Sequence, residues 1–261
     1  PLAAMLCVAQ APVDLNRYPK ARALFDQPVT KPGIACTVTQ LKPDLNFSFR
    51  FQAGYFATWP LKNYEGSDNS FAILTRVTPL NPEGDPVYFS QLIPMRDIPS
   101  RSRNKIQVDG AYFFGEGEYA IDLIVADQAN RVCRKQWNIE VKSSSGSQIR
   151  PAQDPGSVQP AVLKNWDGIL KDNVPPRRLT ILMHVAPLYF WTNRLHAYDQ
   201  AMLLSSLLAL LRQTSFTQVK LVAFNLDQQL ELFRQERFDA EGWNKLPLAM
   251  HSLELGTVSY E

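Results

Sequence analysis

The sequence contains few cysteines, no long hydrophobic run and almost no excess of either charge. Three cysteines among 261 residues, with no Cys-x-x-Cys pair, exclude a disulfide-rich scaffold. No apolar run reaches the roughly 20 residues that a transmembrane helix requires. Because 27 lysines and arginines balance 25 aspartates and glutamates, the charge gives no reason to expect nucleic acid or an anionic membrane as a partner.

The composition is that of a folded chain. Hydrophobic residues make up 45% of the sequence and charged residues 20%, which allows a packed core and is not typical of disorder. At roughly 100–200 residues per domain, the length allows one large domain or two ordinary ones.

The first residues resemble the end of a secretory signal peptide. Residues 1–11 (PLAAMLCVAQA) are apolar and uncharged, and they end in a small-x-small pattern at Ala9, Gln10 and Ala11. This pattern predicts cleavage after Ala11 and an exported protein, either periplasmic or extracellular. A buried N-terminal strand or helix is the alternative. Residues 12–33, which are rich in proline, are predicted to form an extended segment.

Residues 34–142 carry the pattern of a β-sandwich. Between Asn46 and Gln52, phenylalanines alternate with polar residues, which is typical of a half-buried antiparallel strand. Tyr119–Ala126 alternates in the same way. Several such segments, separated by turn residues and without a helical period, predict a sandwich. The other strand candidates are Phe71–Val77, Val87–Ile93, Ile106–Phe114 and Val132–Val141.

Residues 115–119 (GEGEY), followed by an alternating strand and Asp127, resemble the penultimate strand of immunoglobulin-like and fibronectin-type domains. The resemblance implies an immunoglobulin-like sandwich in which the hydroxyl of Tyr119 ties the corner at the start of that strand. Because this kind of fold hosts many functions, the resemblance implies no ligand.

Residues 143–176 are rich in serine, proline and glycine and are predicted to be a linker with a short helix. After them the pattern changes. Leu179–Val185 is a continuous apolar run, which predicts a strand buried on both faces. The remaining predicted elements are a helix at Arg194–Arg212, strands at Val219–Asn225 and Gln229–Arg234, and a helix at Phe238–Leu246 that Asp239 caps and Pro247 follows.

This order of elements, with residues 222–227 (VAFNLD) as a second strand and residues 253–257 (LELGT) as a Gly-Thr loop, resembles the von Willebrand factor A domain. The resemblance runs over residues 177–261 and implies a doubly wound α/β domain, of which the chain contains about half. The predicted fold class is therefore α+β with two domains. An all-β immunoglobulin-like sandwich precedes an incomplete von Willebrand factor A-like domain.

In the metal-binding members of that family, a loop reading Asp-x-Ser-x-Ser follows the first strand. The matching positions here are His184, Ala186 and Leu188, whose side chains supply no oxygen ligand. Thr257 matches a further ligand, but one hydroxyl cannot hold a hard cation that takes about six oxygens. We therefore expect no specific Mg²⁺ or Ca²⁺ binding and no cofactor.

Three consecutive aromatic residues, Tyr189, Phe190 and Trp191, occupy the position of that loop, and Thr192 and Asn193 follow them. Ligands of open α/β sheets bind outside the carboxyl ends of the strands. Exposed aromatic residues at this place are predicted to form a binding patch. The alternative is that the three rings cap the sheet or pack against another part of the chain.

No catalytic residues are predicted. His184 is interpreted as a packed core histidine rather than a general base. Ser205 lies in an apolar helix without the glycine-flanked motif of a serine nucleophile. Asp199, on the same helix, is interpreted as a surface or capping charge.

Cys36 and Cys133 are predicted to form a disulfide. Export places the chain in an oxidising compartment, and cleavage after Ala11 removes Cys7 and leaves an even number of cysteines. Cys36 shares a strand face with Val38, and Cys133 lies on the last strand of the sandwich. In immunoglobulin-like sandwiches the first and last strands often run side by side. Two buried free thiols are the alternative.

Two classes of function fit these features. The first is an exported, non-enzymatic protein of the interaction or adhesion type, with a metal-free A-type domain and a protein partner. The second is an exported hydrolase or carbohydrate-active enzyme whose catalytic part lies beyond residue 261, with the present domains as accessory modules.

Overall fold

The computed structural model of the protein describes residues 10–26, 33–62, 64, 69–95, 105–144, 150–161, 166, 178–188, 195–213, 216–253 and 255. The chain divides into two compact units, Pro1–Val162 and Leu163–Glu261. Strands account for 51% of the residues and helices for 19%, so the protein is mostly β.

The described elements follow one another in this order. In the first unit they are β1 (Ala11–Pro12), α1 (Pro19–Asp26), β2 (Thr37–Leu45), β3 (Phe51–Pro60), β4 (Asn69–Asn81), β5 (Val87–Met95), β6 (Lys105–Phe114), β7 (Gly117–Asp127), β8 (Val132–Val141) and β9 (Val158–Pro160). In the second unit they are β10 (Arg178–His184), α2 (Ala197–Gln213), β11 (Gln218–Asn225), β12 (Leu230–Gln235) and α3 (Ala240–His251).

Two antiparallel sheets form the body of the first unit. The five-stranded sheet has the order β1-β5-β4-β7-β8, and the four-stranded sheet has the order β2-β3-β6-β9. Because the side chains of a strand alternate between its faces, every second residue points into a shared core. Trp59 and Tyr112 from one sheet and Phe71, Phe89 and Leu123 from the other are buried there. Burial of such large apolar surfaces is the main favourable contribution to folding.

The strand predicted at residues 46–52 is wrong in its first part, because the chain turns there. β3 begins at Phe51, and the side-chain oxygen of Asn46 accepts hydrogen bonds from the backbone N–H groups of Ser48 at 2.9 Å and Arg50 at 3.2 Å. An asparagine that bonds the backbone just after it favours a turn over a strand. Phe47, which the alternation would place in the core, is 88% exposed.

Part of the predicted linker belongs to the first unit. β9 pairs with β6, and the backbone N–H of Gly115 donates to the carbonyl of Ser157 at 2.9 Å. The chain passes so close to Gly115 that a Cβ there would lie 1.8 Å from the carbonyl oxygen of Asp154. Only glycine allows this approach. The proline- and serine-rich segment that was predicted to be a linker therefore packs against the first unit and contributes a short strand at the edge of a sheet.

Tyr119 closes the corner before β7. Its hydroxyl donates to the carbonyl of Gly115 at 2.8 Å, the contact expected of a tyrosine at the start of this strand. Burial raises the pKa of Tyr119 to about 12. The hydroxyl therefore keeps its proton for this hydrogen bond at neutral pH.

The N-terminal segment is folded against the first unit instead of extended. Helix α1 lies on the outer face of the five-stranded sheet, where Phe25 belongs to an apolar cluster with Leu74 and Ile124. Leu15 is buried in the same cluster. Prolines and charged residues interrupt the apolar pattern of this segment, so the sequence pattern does not predict the helix.

A buried carboxylate joins this helix to the sheet. Asp122 in β7 accepts hydrogen bonds from Arg76 of β4 at 2.9 Å and from Arg134 of β8 at 2.6 Å. Arg134 also donates to the carbonyl of Phe25 at 2.6 Å, and the Arg76 guanidinium lies 5.0 Å from the centre of the Phe25 ring. The hydrogen bond with Asp122 raises the pKa of Arg134. We call Asp122, Arg76 and Arg134 the Asp122 cluster.

The second unit contains a three-stranded sheet in the order β10-β11-β12. β10 runs parallel to β11, and β12 runs antiparallel to β11. Met183 and Leu221, from alternating positions of the parallel pair, are buried on one face of the sheet. Leu204 of α2 and Leu246 of α3 belong to the same core, so both helices cover this face.

The predicted fold class, α+β with a doubly wound von Willebrand factor A-like domain, is wrong, because the protein is mostly β. A doubly wound sheet is covered by helices on both faces. β10 instead alternates between exposed and more buried residues, and Leu182 is 69% exposed on the face away from the described helices. A short apolar run does not by itself distinguish burial on one face from burial on two.

The helices of the second unit differ from their predicted bounds mainly at their ends. Asp239 caps α3, since its carboxylate accepts a hydrogen bond from the backbone N–H of Gly242 at 2.9 Å. Pro247, predicted to follow this helix, lies inside it, and the buried Met250 holds the last turn against the core. Within the part of the chain that the structure describes, no helix has both the length and the apolar character needed to cross a membrane.

Candidate functional site

The carboxyl ends of β10 and β11 meet at one edge of the sheet in the second unit. The last register pair is His184 with Phe224, and the backbone N–H of Val185 donates to the carbonyl of Phe224 at 2.8 Å. In open α/β sheets, ligands bind outside the carboxyl ends of the parallel strands, and β10 and β11 are the parallel pair of this sheet. The predicted binding segment, residues 189–193, follows β10 closely in the sequence. We therefore consider this edge as the candidate site.

Asn225 fixes the edge from the side of β11. Its side-chain N–H group donates to the carbonyl of Val185 at 2.7 Å, and its side-chain oxygen accepts a hydrogen bond from the backbone N–H of Gln228 at 2.8 Å. Asn225 is only 1% exposed. A buried amide satisfied on both sides holds the exit of β10 against the turn that follows β11.

Asp199, in the first turn of α2, holds the chain on both sides of the predicted binding segment. One carboxylate oxygen accepts a hydrogen bond from the backbone N–H of Leu188 at 2.9 Å, and the other accepts one from the backbone N–H of His196 at 3.0 Å. Leu188 precedes residues 189–193 and His196 follows them. One buried side chain therefore holds the chain before and after this segment.

The carboxyl group of Asp199 is removed from water. Burial raises its pKa above the ordinary value, although the two backbone N–H groups favour the ionised form. A raised pKa in the folded state means that ionisation costs more free energy in the folded chain than in the unfolded chain. The fold therefore loses stability from this group as the pH rises through the folded-state pKa, and regains it as the pH falls.

Replacing Asp199 with asparagine is expected to remove this contribution to the pH dependence. The difference in unfolding free energy, wild type minus Asp199→Asn, should fall as the pH rises above 3.8, the ordinary value, and level off once Asp199 is ionised in the folded state. Denaturant unfolding at a series of pH values measures this difference. Asp85→Asn, at an exposed turn, is the control. A difference that is constant or that rises with pH contradicts the prediction.

The histidines have different environments. His184 is exposed, and its ring stacks on Phe224 with the ring centres 5.6 Å apart. The prediction of a packed core histidine is therefore wrong, because β10 buries only one face. His196 is buried at the start of α2, and His251 is exposed at the end of α3.

Among the described residues, no three His, Cys, Asp or Glu side chains lie together as a metal site requires.

The residues predicted to bind a partner lie outside the described part of the chain, as does Thr257. They are Tyr189, Phe190, Trp191, Thr192 and Asn193. Of their neighbours, Leu188 is 47% exposed.

The sequence did not predict that Asp199 accepts hydrogen bonds from both Leu188 and His196. An acidic residue in the first turn of a helix indicates a cap, but it does not reveal the contact with Leu188.

The two cysteines predicted to pair lie in the first unit. Cys36, just before β2, and Cys133, at the start of β8, are joined by a disulfide with a Cα–Cα distance of 6.0 Å. β2 belongs to the four-stranded sheet and β8 to the five-stranded sheet. The bond therefore links the two sheets.

Comparisons with known proteins add little to this description. No protein-family model and no curated protein matches the chain. Among solved structures, the chain is similar to the X-ray structure of a Northeast Structural Genomics Consortium target, with 10% sequence identity and a TM-score of 0.25, covering 47% of this chain and 97% of that one. A TM-score this low carries no conclusion about the fold. Neither the immunoglobulin-like nor the von Willebrand factor A-like resemblance gains support.

Proposed function

We propose that this chain is an exported, non-enzymatic interaction protein that binds a protein partner through residues 189–193. The observation that supports the proposal is the position of Asp199, which accepts hydrogen bonds from the backbone on both sides of this segment. A binding segment whose flanking residues are already held in place loses less conformational entropy on association. Aromatic side chains are the residues that most often dominate binding energy at protein interfaces.

Three buried carboxylates of the described residues support binding rather than catalysis. Asp199 is engaged by two backbone N–H groups, and Asp122 is engaged by two arginines. Asp127 accepts hydrogen bonds from the Tyr64 hydroxyl at 3.0 Å and from Arg131 at 2.6 Å. A general acid or base must reach a proton of its substrate, whereas these groups are committed to contacts within the fold.

The disulfide between Cys36 and Cys133 supports the proposal of export. Disulfides persist in oxidising compartments such as the periplasm or the extracellular space, and they are rare in the cytosol. The proposed localisation is therefore periplasmic or extracellular.

Replacing Tyr189, Phe190 and Trp191 together by serine is expected to weaken association and leave the melting temperature nearly unchanged. The reason is that rings used to bind a partner contribute to the binding energy but little to the stability of the free protein. Chemical cross-linking of the full chain in the cell envelope measures association, and calorimetry measures the melting temperature. Phe47→Ser, which removes an aromatic ring that is 88% exposed in the first unit, is the matched control.

The opposite pattern contradicts the proposal. If the three rings cap the core, the triple variant loses several kcal/mol of stability, the scale of large-to-small core substitutions. A large fall in the melting temperature, or cross-linking equal to that of the wild type and of Phe47→Ser, means that residues 189–193 are not the binding segment.

A further inference from the structure

The side chain of Gln10 is part of the interior of the first unit. Gln10 is only 4% exposed. Its side-chain N–H group donates to the hydroxyl of Tyr55, and its side-chain oxygen accepts a hydrogen bond from the hydroxyl of Thr75 at 3.4 Å. The hydroxyl of Tyr112 donates to Thr75 at 2.9 Å. These four side chains form a chain of hydrogen bonds, which we call the Gln10 network.

The Gln10 network lies within an apolar core. Tyr55, Thr75 and Tyr112 are each 0% exposed, and the rings of Tyr55 and Tyr112 contact Trp137 and Phe89. Burial raises the pKa of both tyrosines, so both hydroxyls remain neutral donors. A buried polar group that loses its partner pays the full cost of desolvation. Gln10 therefore supplies a further hydrogen-bond partner to two buried hydroxyls, those of Tyr55 and Thr75, which otherwise have only each other and Tyr112.

The backbone beside Gln10 is also part of the fold. Ala11 pairs with Ser90 and Pro12 pairs with Phe89 at the edge of the five-stranded sheet. The backbone N–H of Val13 continues the pairing by donating to Tyr88 at 2.9 Å. A proline is tolerated at a sheet edge because its missing N–H is not needed there. Gln10 and the three residues that follow it are therefore part of the folded unit.

Cleavage after Ala11, as the small-x-small pattern predicts, would remove Gln10 and half of β1. The sequence offers a second small-x-small pattern at Cys7, Val8 and Ala9, two residues earlier. We propose that export, on which this inference rests, ends with cleavage between Ala9 and Gln10. Gln10 is then the first residue of the mature chain and stays in the Gln10 network.

The N-terminus of the mature protein tests the cleavage site. Intact mass and mass-spectrometric sequencing of the N-terminal peptide are measured on the protein recovered from the envelope of its own cells. A chain that begins at Gln10 supports the proposal. A chain that begins at Ala11 or Pro12 overturns it and leaves the proposed export intact. An envelope protein that retains residues 1–9 overturns the cleavage, and recovery from the cytosol alone overturns the proposed export.

A stability measurement tests the Gln10 network without reference to export. Gln10→Ala in the full chain is expected to lower the melting temperature by about 4–8 °C, the shift for two lost hydrogen bonds in a protein of this size. Gln40→Ala, which changes an exposed glutamine on β2, should leave it nearly unchanged. Gln10→Glu keeps the shape and loses the donor, so it should also lower the melting temperature. Equal melting temperatures for Gln10→Ala and Gln40→Ala overturn the role of Gln10.

Discussion

Replacing Asp122 with alanine is expected to lower the free energy of unfolding by about 3–5 kcal/mol, the usual cost of removing one partner from a buried ion pair. The Asp122 side chain is 7% exposed, and the side chains of Arg76 and Arg134 are 23% and 19% exposed. Without the carboxylate, Arg134 loses its ion pair in a poorly solvated position, and the half-buried Arg76 keeps only the 3.5 Å contact with the exposed Asp26. Denaturant unfolding measures the loss.

The same substitution is expected to loosen helix α1. Arg134 donates to the carbonyl of Phe25, and Arg76 lies over the Phe25 ring, so both arginines position the end of the helix. Hydrogen exchange of the α1 amides should therefore rise more than exchange in β3. Asp85→Ala, at an exposed turn, is the control. If Asp85→Ala lowers the free energy of unfolding as much as Asp122→Ala does, the Asp122 cluster stabilises the fold no more than an exposed aspartate.

The strands of the first unit could be predicted because their alternation follows from burial of one face. Val132–Val141 has the predicted bounds, and β4 to β7 cover the predicted segments. What alternation cannot supply is the partner of an outward-facing residue. Asp122 is such a residue, and its arginines lie 46 and 12 positions away in the chain. Helix α1, which covers that face, lies in a segment whose prolines indicate an extended chain.

The second unit was harder to predict because apolar content and burial are not the same quantity. Leu182 is as apolar as its neighbours in β10, but it is 69% exposed. The number of faces that a sheet buries depends on where the helices pack, and the sequence of one strand does not contain that information.

The position of the candidate site could be predicted from the sequence, but the hydrogen bonds that hold it could not. The carboxyl end of β10 was predicted from the strand, and the aromatic segment was recognised from its composition. The hydrogen bond between Asp199 and Leu188 spans 11 positions, and local sequence pattern does not predict a contact between residues so far apart. Local pattern predicts only the cap at His196.

Replacing Cys36 and Cys133 together by alanine is expected to lower the free energy of unfolding by about 4–5 kcal/mol. The bond spans 97 positions, and closing a loop of this length removes that much conformational entropy from the unfolded chain in the chain-entropy model. Denaturant unfolding of both proteins without reductant measures the loss. Adding reductant should destabilise the wild type and leave the double variant nearly unchanged.

Counting thiols separates this explanation from a loss of packing. Cys133 is buried, so alanine also removes apolar contacts, but only a bond changes the number of thiols. In the unfolded, unreduced full chain, Cys7 alone should react, and all three cysteines should react after reduction. Cys7→Ala, the control, should leave no reactive thiol before reduction and unchanged stability. Three reactive thiols in unreduced wild-type protein would mean that Cys36 and Cys133 are free, and the stability lost in the double variant would then be the cost of packing alone.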